Sequence, residues 1–257
     1  MPGAASLRFD AVLFDLGSTL FYYQGDWLAS RAESNAHLLD ALLAAGLNLE
    51  RTAFLAEWES RLNTYQNDRD EDLIEHSTGV VLRNVLASLG HASISDQLLR
   101  EALAEMYAVT QKHWKAETDA VPTLKALRSR GYRLGILSNA ADDDDVRRLV
   151  DQAEVGPYFD FVLTSSSLGY RKPHLRTFHA ALTRWGLPPD RVAMVGDNLR
   201  ADILGAKSLG IFSIWITRRV AVEGPVDTGE PVIPDATIQT LSELLPLLER
   251  LNQNSAQ

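Results

Sequence analysis

Five short runs of largely apolar residues recur along the chain, and they restrict its possible folds more than any other feature. A strand with one face in water alternates polar and apolar residues, whereas a strand buried on both faces is apolar throughout. Helical patterns separate the later runs, and strands that alternate with helices form right-handed crossovers. The sequence therefore predicts an α/β fold with a doubly wound parallel sheet, its strands at Ala11–Phe14, Leu134–Leu137, Phe161–Leu163, Val192–Val195 and Ile211–Ile216.

The segments between these runs carry helical periodicity and terminal signals. Pro122 suits the first position of one helix, and Gly131 suits its carboxyl-terminal stop. Similar apolar patterns predict helices at Thr177–Trp185 and Ala201–Leu209. Near the end of the chain, the composition and periodicity predict a surface loop at Val220–Pro234 and a last helix at Thr240–Leu251.

The stretch from about Trp27 to Lys115 contains no buried-strand run and has a helical pattern throughout. Its apolar residues recur at three- and four-residue spacing in four stripes, and Ser95 suits the N-cap of the fourth helix. This pattern predicts a small α-helical bundle inserted after the first strand. We therefore expect a sheet-based core formed by residues 1–21 and 116–257 and a helical domain at residues 22–115.

Composition excludes several classes of function. Lys and Arg number 25 and Asp and Glu 34, so the formal net charge is 25 − 34 = −9, which disfavours binding to nucleic acid or to an anionic membrane surface. The chain has no cysteine, which excludes disulfides, thiolate nucleophiles and Cys-ligated zinc. No apolar run approaches the ~18 residues of a membrane span. Asp10 and Asp15 interrupt the apolar part of the amino-terminal stretch, which argues against a secretory signal, and we predict a cytoplasmic location.

Polar residues follow the predicted strands where each strand ends. Because the carboxyl ends of parallel strands share one edge of a sheet, we expect these side chains to meet there. One such residue alone is usually a helix cap or a turn former. Together, two carboxylates suit Mg²⁺, and a lysine with a hydroxyl suits an anion such as a phosphoryl group. The residues are Asp15, Ser138, Asn139, Lys172, Asp197 and Asp202.

The order and spacing of these residues resemble the haloacid dehalogenase superfamily of hydrolases. Asp15–Leu20 is similar to the first motif, Ser138 to the second, Lys172-Pro173 to the third, and Gly196-Asp197 with Asp202 to the fourth. The helical segment directly after the first motif resembles the family's C1-type cap. The segment Pro234–Ile238 and the apolar residues after it resemble the family's last strand and helix.

The resemblance implies a role for each of these residues. Asp15 is the expected nucleophile, which forms an aspartyl-phosphate, and Asp15, Asp197 and the backbone carbonyl of Gly17 are the expected Mg²⁺ ligands. Ser138 and Asn139 are expected to bind the phosphoryl group of a small phosphorylated or otherwise anionic substrate. Lys172 is expected to neutralise Asp15 and that group, with Asp202 and Thr19 in supporting roles. The cap is expected to set specificity, with Trp27 or Arg31 as the substrate contact.

Gly17 departs from the family pattern. Phosphatases of the family carry a second Asp at this position, two residues after the nucleophile, as general acid and base. A positioned acid or base contributes about 10²–10⁴-fold to the rate. Three interpretations follow: a phosphatase that is slow or selective for good leaving groups, a dehalogenase- or phosphonatase-like enzyme, and a catalytically impaired protein that binds ligands on the same scaffold.

The run Asp142–Asp145 has two interpretations. Four consecutive acidic residues after a strand could form a second metal site. Acidic residues are also favourable at a helix amino terminus, where they interact with the helix dipole. We predict that this run is a solvated helix start.

Overall fold

The core of the protein is a parallel six-stranded sheet. The structure is a computed structural model that describes residues 8–220 and 231–254. The strand order of the sheet is β5-β4-β1-β6-β7-β8, and every neighbouring pair is parallel. β2 and β3 form a separate antiparallel ribbon. The strands are β1 (Ala11–Phe14), β2 (Phe21–Tyr23), β3 (Trp114–Ala116), β4 (Arg133–Ser138), β5 (Phe161–Thr164), β6 (Val192–Gly196), β7 (Phe212–Ile216) and β8 (Ala236–Ile238).

Helices flank the sheet and form the segment between β2 and β3. They are α1 (Trp27–Ala44), α2 (Arg51–Asp72), α3 (Thr78–Ser88), α4 (Asp96–Gln111), α5 (Ala120–Ser129), α6 (Asp143–Gln152), α7 (Ser165–Leu168), α8 (Leu175–Trp185), α9 (Gly205–Lys207) and α10 (Leu244–Asn254). None of the helices in the described part of the chain is both long and apolar enough to cross a membrane.

The two faces of β1 pack into different hydrophobic clusters. Val12 and Phe14 join the cluster that includes α5, α6 and α10, whereas Ala11 and Leu13 join the cluster that includes α8. Both faces are therefore covered by helices, which explains why the strand is apolar at every position. The predicted α/β fold with a doubly wound parallel sheet is confirmed.

The four helices α1 to α4 pack around a hydrophobic cluster of their own, and we call these residues, 27–111, the insert. Trp58 lies fully buried at its centre, and Ser95 caps α4 as predicted. The prediction that the segment is helical up to Lys115 is wrong, because Trp114–Ala116 is a strand that pairs with Phe21–Tyr23. Strands of three residues are too short to show a periodic pattern.

Several predicted helices differ from the observed helices at their first residue. α5 begins at Ala120, two residues before Pro122, while Gly131 has the positive φ expected just after a helix end. The helix predicted at Ala201–Leu209 begins earlier, as a π-helical turn at Leu199–Leu204 that continues into α9. In the predicted loop Val220–Pro234, residues 221–230 lie outside the described residues.

Candidate active site

Residues from three strand ends and one loop surround a cavity of about 340 Å³. Asp15 follows β1, Ser138 ends β4, and Asp197 follows β6, while Lys172 lies in the loop after α7. The parallel arrangement places these strand ends at the same edge of the sheet. Of the predicted site residues, those that line the cavity are Asp15, Gly17, Ser138, Asn139, Lys172, Asp197 and Asp202.

The ammonium group of Lys172 is buried between two carboxylates. Its Nζ donates to Oδ1 of Asp15 and to Oδ1 of Asp202, each at 2.6 Å. Burial by itself disfavours the charged lysine, but the charges of Asp15 and Asp202 outweigh that effect, and the pKa of Lys172 is raised. Lys172 therefore remains a cation at the base of the cavity.

Three carboxylates share this region with the single ammonium group. Oxygen atoms of Asp15, Asp197 and Asp202 lie within 4.8 Å of one another. Burial, followed by the charges of Asp15 and Asp202, raises the pKa of Asp197 to about 8. Among the described residues, no side chain donates a hydrogen bond to the carboxylate of Asp197. This donor set fits a hard divalent cation, which would offset the excess negative charge.

Close packing against the backbone of Gly196 holds the carboxylate of Asp202 in place. A Cβ on Gly196 would lie 2.3 Å from Cγ of Asp202, so only glycine allows Asp202 to approach the end of β6. Oδ2 of Asp202 accepts a hydrogen bond from the backbone N–H of Asn198 at 3.0 Å. Trp215 donates from Nε1 to the backbone carbonyl of Asp197 at 2.8 Å, which anchors the same loop from β7.

The sequence model of haloacid dehalogenase-like hydrolases matches residues 9–210, which include every strand that contributes to the cavity. The chain belongs to the haloacid dehalogenase-like hydrolase family. The expected membership of the haloacid dehalogenase superfamily is thereby confirmed, and the chain is a hydrolase.

Individual relatives match this hydrolase over nearly its whole length. The glyceraldehyde 3-phosphate phosphatase of Methanothermobacter thermautotrophicus is 29% identical over 239 residues, which cover 93% of this chain and 99% of the relative. The crystal structure of a 2-haloacid dehalogenase from Pseudomonas syringae pv. Tomato DC3000 is similar to this structure, with a TM-score of 0.65 and 26% identity. The match spans 95% of this chain and 99% of the dehalogenase chain. The crystal structure of a HAD phosphatase from Thermococcus onnurineus matches with a TM-score of 0.58 and 25% identity, over 93% of this chain and 98% of the phosphatase chain.

Asn139 contacts the loop that carries Lys172 through both ends of its amide. Its Oδ1 accepts from the backbone N–H of Lys172 at 2.7 Å, and its Nδ2 donates to the Lys172 carbonyl at 3.0 Å. These contacts position the lysine backbone, while substrate binding by Asn139 stays a prediction. Thr19 is fully buried outside the cavity lining, and its hydroxyl oxygen has no hydrogen-bond partner among the described residues.

Gly17 leaves space beside the indole ring of Trp114. A Cβ at position 17 would lie 3.6 Å from Cη2 of Trp114, which is an ordinary van der Waals contact. Trp114 belongs to β3 and lines the cavity, so it does more than pack into the core. The sequence offered no sign of this role, because residue 114 reaches the site only through pairing of β3 with β2.

A buried ion pair, not foreseen from the sequence, connects the insert to the loop that carries Lys172. Nη1 of Arg171 lies 2.5 Å from Oε2 of Glu75, whose side chain is fully buried, and Ser165 and Tyr65 also hydrogen-bond to Glu75. Backbone bonds join the same segments, from Glu75 N–H to the Gly169 carbonyl at 3.1 Å. Arg171 also lines the cavity, but its charge is neutralised by Glu75.

The acidic residues Asp142–Asp145 at the start of α6 lie in different environments. Asp142 is the N-cap and accepts from the backbone N–H of Asp145 at 2.9 Å, as predicted, and Asp144 is exposed. Asp145 differs from Asp144 because it is partly buried and lines the cavity. Packing of α4 against α6 covers this residue, and the local sequence carries no sign of that packing.

Trp27 and Arg31, the predicted substrate contacts, do not line the cavity that contains Asp15. They lie with Tyr65 and Arg69 around a second cavity of about 220 Å³, formed largely by the insert. Their contact with substrate stays a prediction.

Proposed function

We propose that this hydrolase is a magnesium-dependent phosphatase that acts on a small phosphorylated metabolite through an aspartyl-phosphate on Asp15. The observation that carries the proposal is the arrangement of Asp15, Asp197 and Lys172 beneath one cavity. The cavity volume lies at the lower end of the range for small-ligand sites, which supports a small substrate. The full-length similarity to a phosphatase supports the same reaction class.

The first chemical step is the attack of the Asp15 carboxylate on phosphorus. The bond from phosphorus to the leaving oxygen breaks as the bond to Asp15 forms. The hydroxyl of Ser138 donates a hydrogen bond to a phosphoryl oxygen, and Lys172 reduces the repulsion between the Asp15 carboxylate and the phosphoryl group. A water molecule then attacks phosphorus, which releases inorganic phosphate and restores Asp15.

The carboxylates of Asp15 and Asp197 and the backbone carbonyl of Gly17 would hold Mg²⁺. When bound, Mg²⁺ neutralises charge on the transferring phosphoryl group. Oxygen ligands from carboxylates and carbonyls match the preference of this cation. The carbonyl of residue 17 is available whichever side chain stands there, so Gly17 preserves the metal site while it lacks an acid.

We also propose that residues 22–115 act as a cap over a core of residues 1–21 and 116–257. The insert has its own hydrophobic cluster, and the two chain segments that join it to the core are the strands of the β2–β3 ribbon. A cap of this kind would exclude bulk water from the cavity during reaction. The cytoplasmic location stays a prediction from the sequence.

Metal removal tests the proposed function. We expect the purified protein to release phosphate from p-nitrophenyl phosphate with Mg²⁺ present, to stop after EDTA treatment, and to recover when excess Mg²⁺ is added back. The measurement is the initial rate of p-nitrophenol release under the three conditions. A rate that is unaffected by EDTA would contradict the proposal. Chloride release from 2-chloropropionate without phosphatase activity would instead assign a dehalogenase, and ligand binding without turnover would assign a binding protein.

Replacement of Gly17 tests whether a missing acid limits the rate. We expect Gly17→Asp to increase kcat/KM for ethyl phosphate, by up to about 10²-fold when no other residue supplies the proton, the lower end of the contribution of a positioned acid. The effect on p-nitrophenyl phosphate should be smaller, because its leaving group departs without a proton. Gly17→Asn is the matched control, since it has nearly the same shape and no acidic proton. An unchanged ratio between the two substrates would reject the idea.

A further inference from the structure

Asp145 shares the catalytic cavity with Asp15, although it lies outside the three-carboxylate group. Its Oδ1 accepts a hydrogen bond from Nε2 of Gln111, the last residue of α4, at 2.8 Å. Among the described residues, Oδ2 of Asp145 makes no hydrogen bond. Of the two carboxyl oxygens of Asp145, Oδ2 is therefore the one that can carry a proton.

The other ionisable residues that line the cavity are poorly suited to donate a proton. Arg171 is paired with buried Glu75, and a guanidinium group does not give up its proton in proteins. Lys172 donates to two carboxylates, which stabilise its charged form. Asp15, Asp197 and Asp202 surround that lysine and belong to the proposed nucleophile and metal site.

We propose that Asp145 is the general acid and base of the phosphatase reaction, in the role that the missing carboxylate at position 17 would fill. The proposal rests on the proposed function. An in-line displacement places the leaving oxygen on the side of phosphorus opposite the attacking oxygen. A proton donor is therefore required at a distance from Asp15, and Asp145 lines the same cavity outside the group that contains the nucleophile.

Asp145 gives up one proton in the first step and regains one in the second. As Asp15 attacks and the bond from phosphorus to the leaving oxygen breaks, protonated Asp145 transfers its proton to that oxygen, and an alcohol departs. Asp145 is then a carboxylate. It accepts a proton from the water that attacks the aspartyl-phosphate, the bond between Asp15 and phosphorus breaks, and phosphate leaves.

The surroundings of Asp145 favour the protonated form near neutral pH. Burial is the largest cause, and Asp142 adds to it, while Gln111 and Arg148 act in the opposite direction, so that the pKa of Asp145 is about 7. Tyr107 carries a raised pKa and faces Asp145 from α4 as a neutral phenol. The charged groups that face Asp145 across the cavity are Asp15, Arg171, Lys172, Asp197 and Asp202.

Substrates with different leaving groups distinguish this role from a structural one. We expect Asp145→Asn to lower kcat/KM for ethyl phosphate by on the order of 10²-fold. Its kcat/KM for p-nitrophenyl phosphate should change little, because nitrophenolate departs without a proton. Loss of the base should slow the second step, so the variant should release p-nitrophenol in a burst equal to the enzyme concentration. The decline of the parent rate on ethyl phosphate above about pH 7 should be absent from the variant.

Two further variants complete the experiment. Asp144→Asn, at the exposed neighbouring position on α6, should match the parent on both substrates. Gly17→Asp combined with Asp145→Asn should restore hydrolysis of ethyl phosphate. Equal losses on both substrates, or no loss on ethyl phosphate, would overturn the role of Asp145 alone. A parent protein without metal-dependent activity on either substrate would overturn the proposed function as well.

Discussion

Replacement of Asp15 by asparagine is expected to lower kcat for phosphate hydrolysis by on the order of 10⁶-fold, the scale at which removal of a covalent nucleophile acts. The neutral amide is a poor nucleophile, so the aspartyl-phosphate should not form. The shape of the side chain is preserved, and the amide oxygen can still accept the hydrogen bond from Lys172. The measurement is kcat with p-nitrophenyl phosphate at saturating Mg²⁺.

Asp10→Asn is the matched control for this variant. Asp10 lies just before β1 and pairs with Arg191, with a shortest separation of 2.5 Å between Arg191 Nη2 and Asp10 Oδ1. It does not line the cavity, so its replacement should leave kcat unchanged. Parental activity in Asp15→Asn would remove Asp15 from the role of nucleophile.

Lys172→Met is expected to lower the free energy of unfolding by about 3–5 kcal/mol, the cost of breaking a buried ion pair on one side. The variant leaves the buried carboxylates of Asp15 and Asp202 without their shared cation. It should also lose phosphatase activity. The measurement is urea denaturation at pH 7 with EDTA present, so that no divalent cation replaces the missing charge.

The pH of this experiment follows from the direction of the lysine pKa shift. The folded-state pKa of Lys172 is raised, so its stabilising contribution is fully present below the pKa of an unfolded lysine, about 10.4, and is lost as pH rises through the folded value. At pH 7 the contribution is intact. Lys207→Met is the control, because Lys207 pairs with Asp235 at 2.7 Å near the surface, where such pairs contribute about 0–1 kcal/mol. Similar unfolding free energies for the two variants would contradict the prediction.

The predictable part of the site lies directly after the strands of the sheet. Asp15, Ser138 and Asp197 stand at or next to strand ends, so recognising each strand also places the following polar residue at the shared edge. The apolar runs reveal these strands because both faces of the sheet are covered. Lys172 lies farther from its strand, in a loop after α7, and was indicated both by its position after the third predicted strand and by its resemblance to a family motif.

The β2–β3 ribbon could not be predicted from local sequence. Phe21 pairs with Ala116, 95 residues later, and each strand is only three residues long. Such strands are defined by their partner and not by their own periodicity. Because the pairing brings Trp114 beside Gly17, the shape of the cavity also depends on this distant contact.

The amino-acid sequence by itself determined the α/β fold, the inserted helices and the polar residues at the strand ends, because hydrophobic periodicity and strand-end chemistry are local properties. Only the tertiary structure distinguished Asp145 from its neighbour Asp144. The two residues are chemically identical and adjacent, yet one lines the cavity beside Gln111 and the other is exposed. The packing of α4 against α6 makes that difference, since burial is what changes the pKa of a carboxyl group.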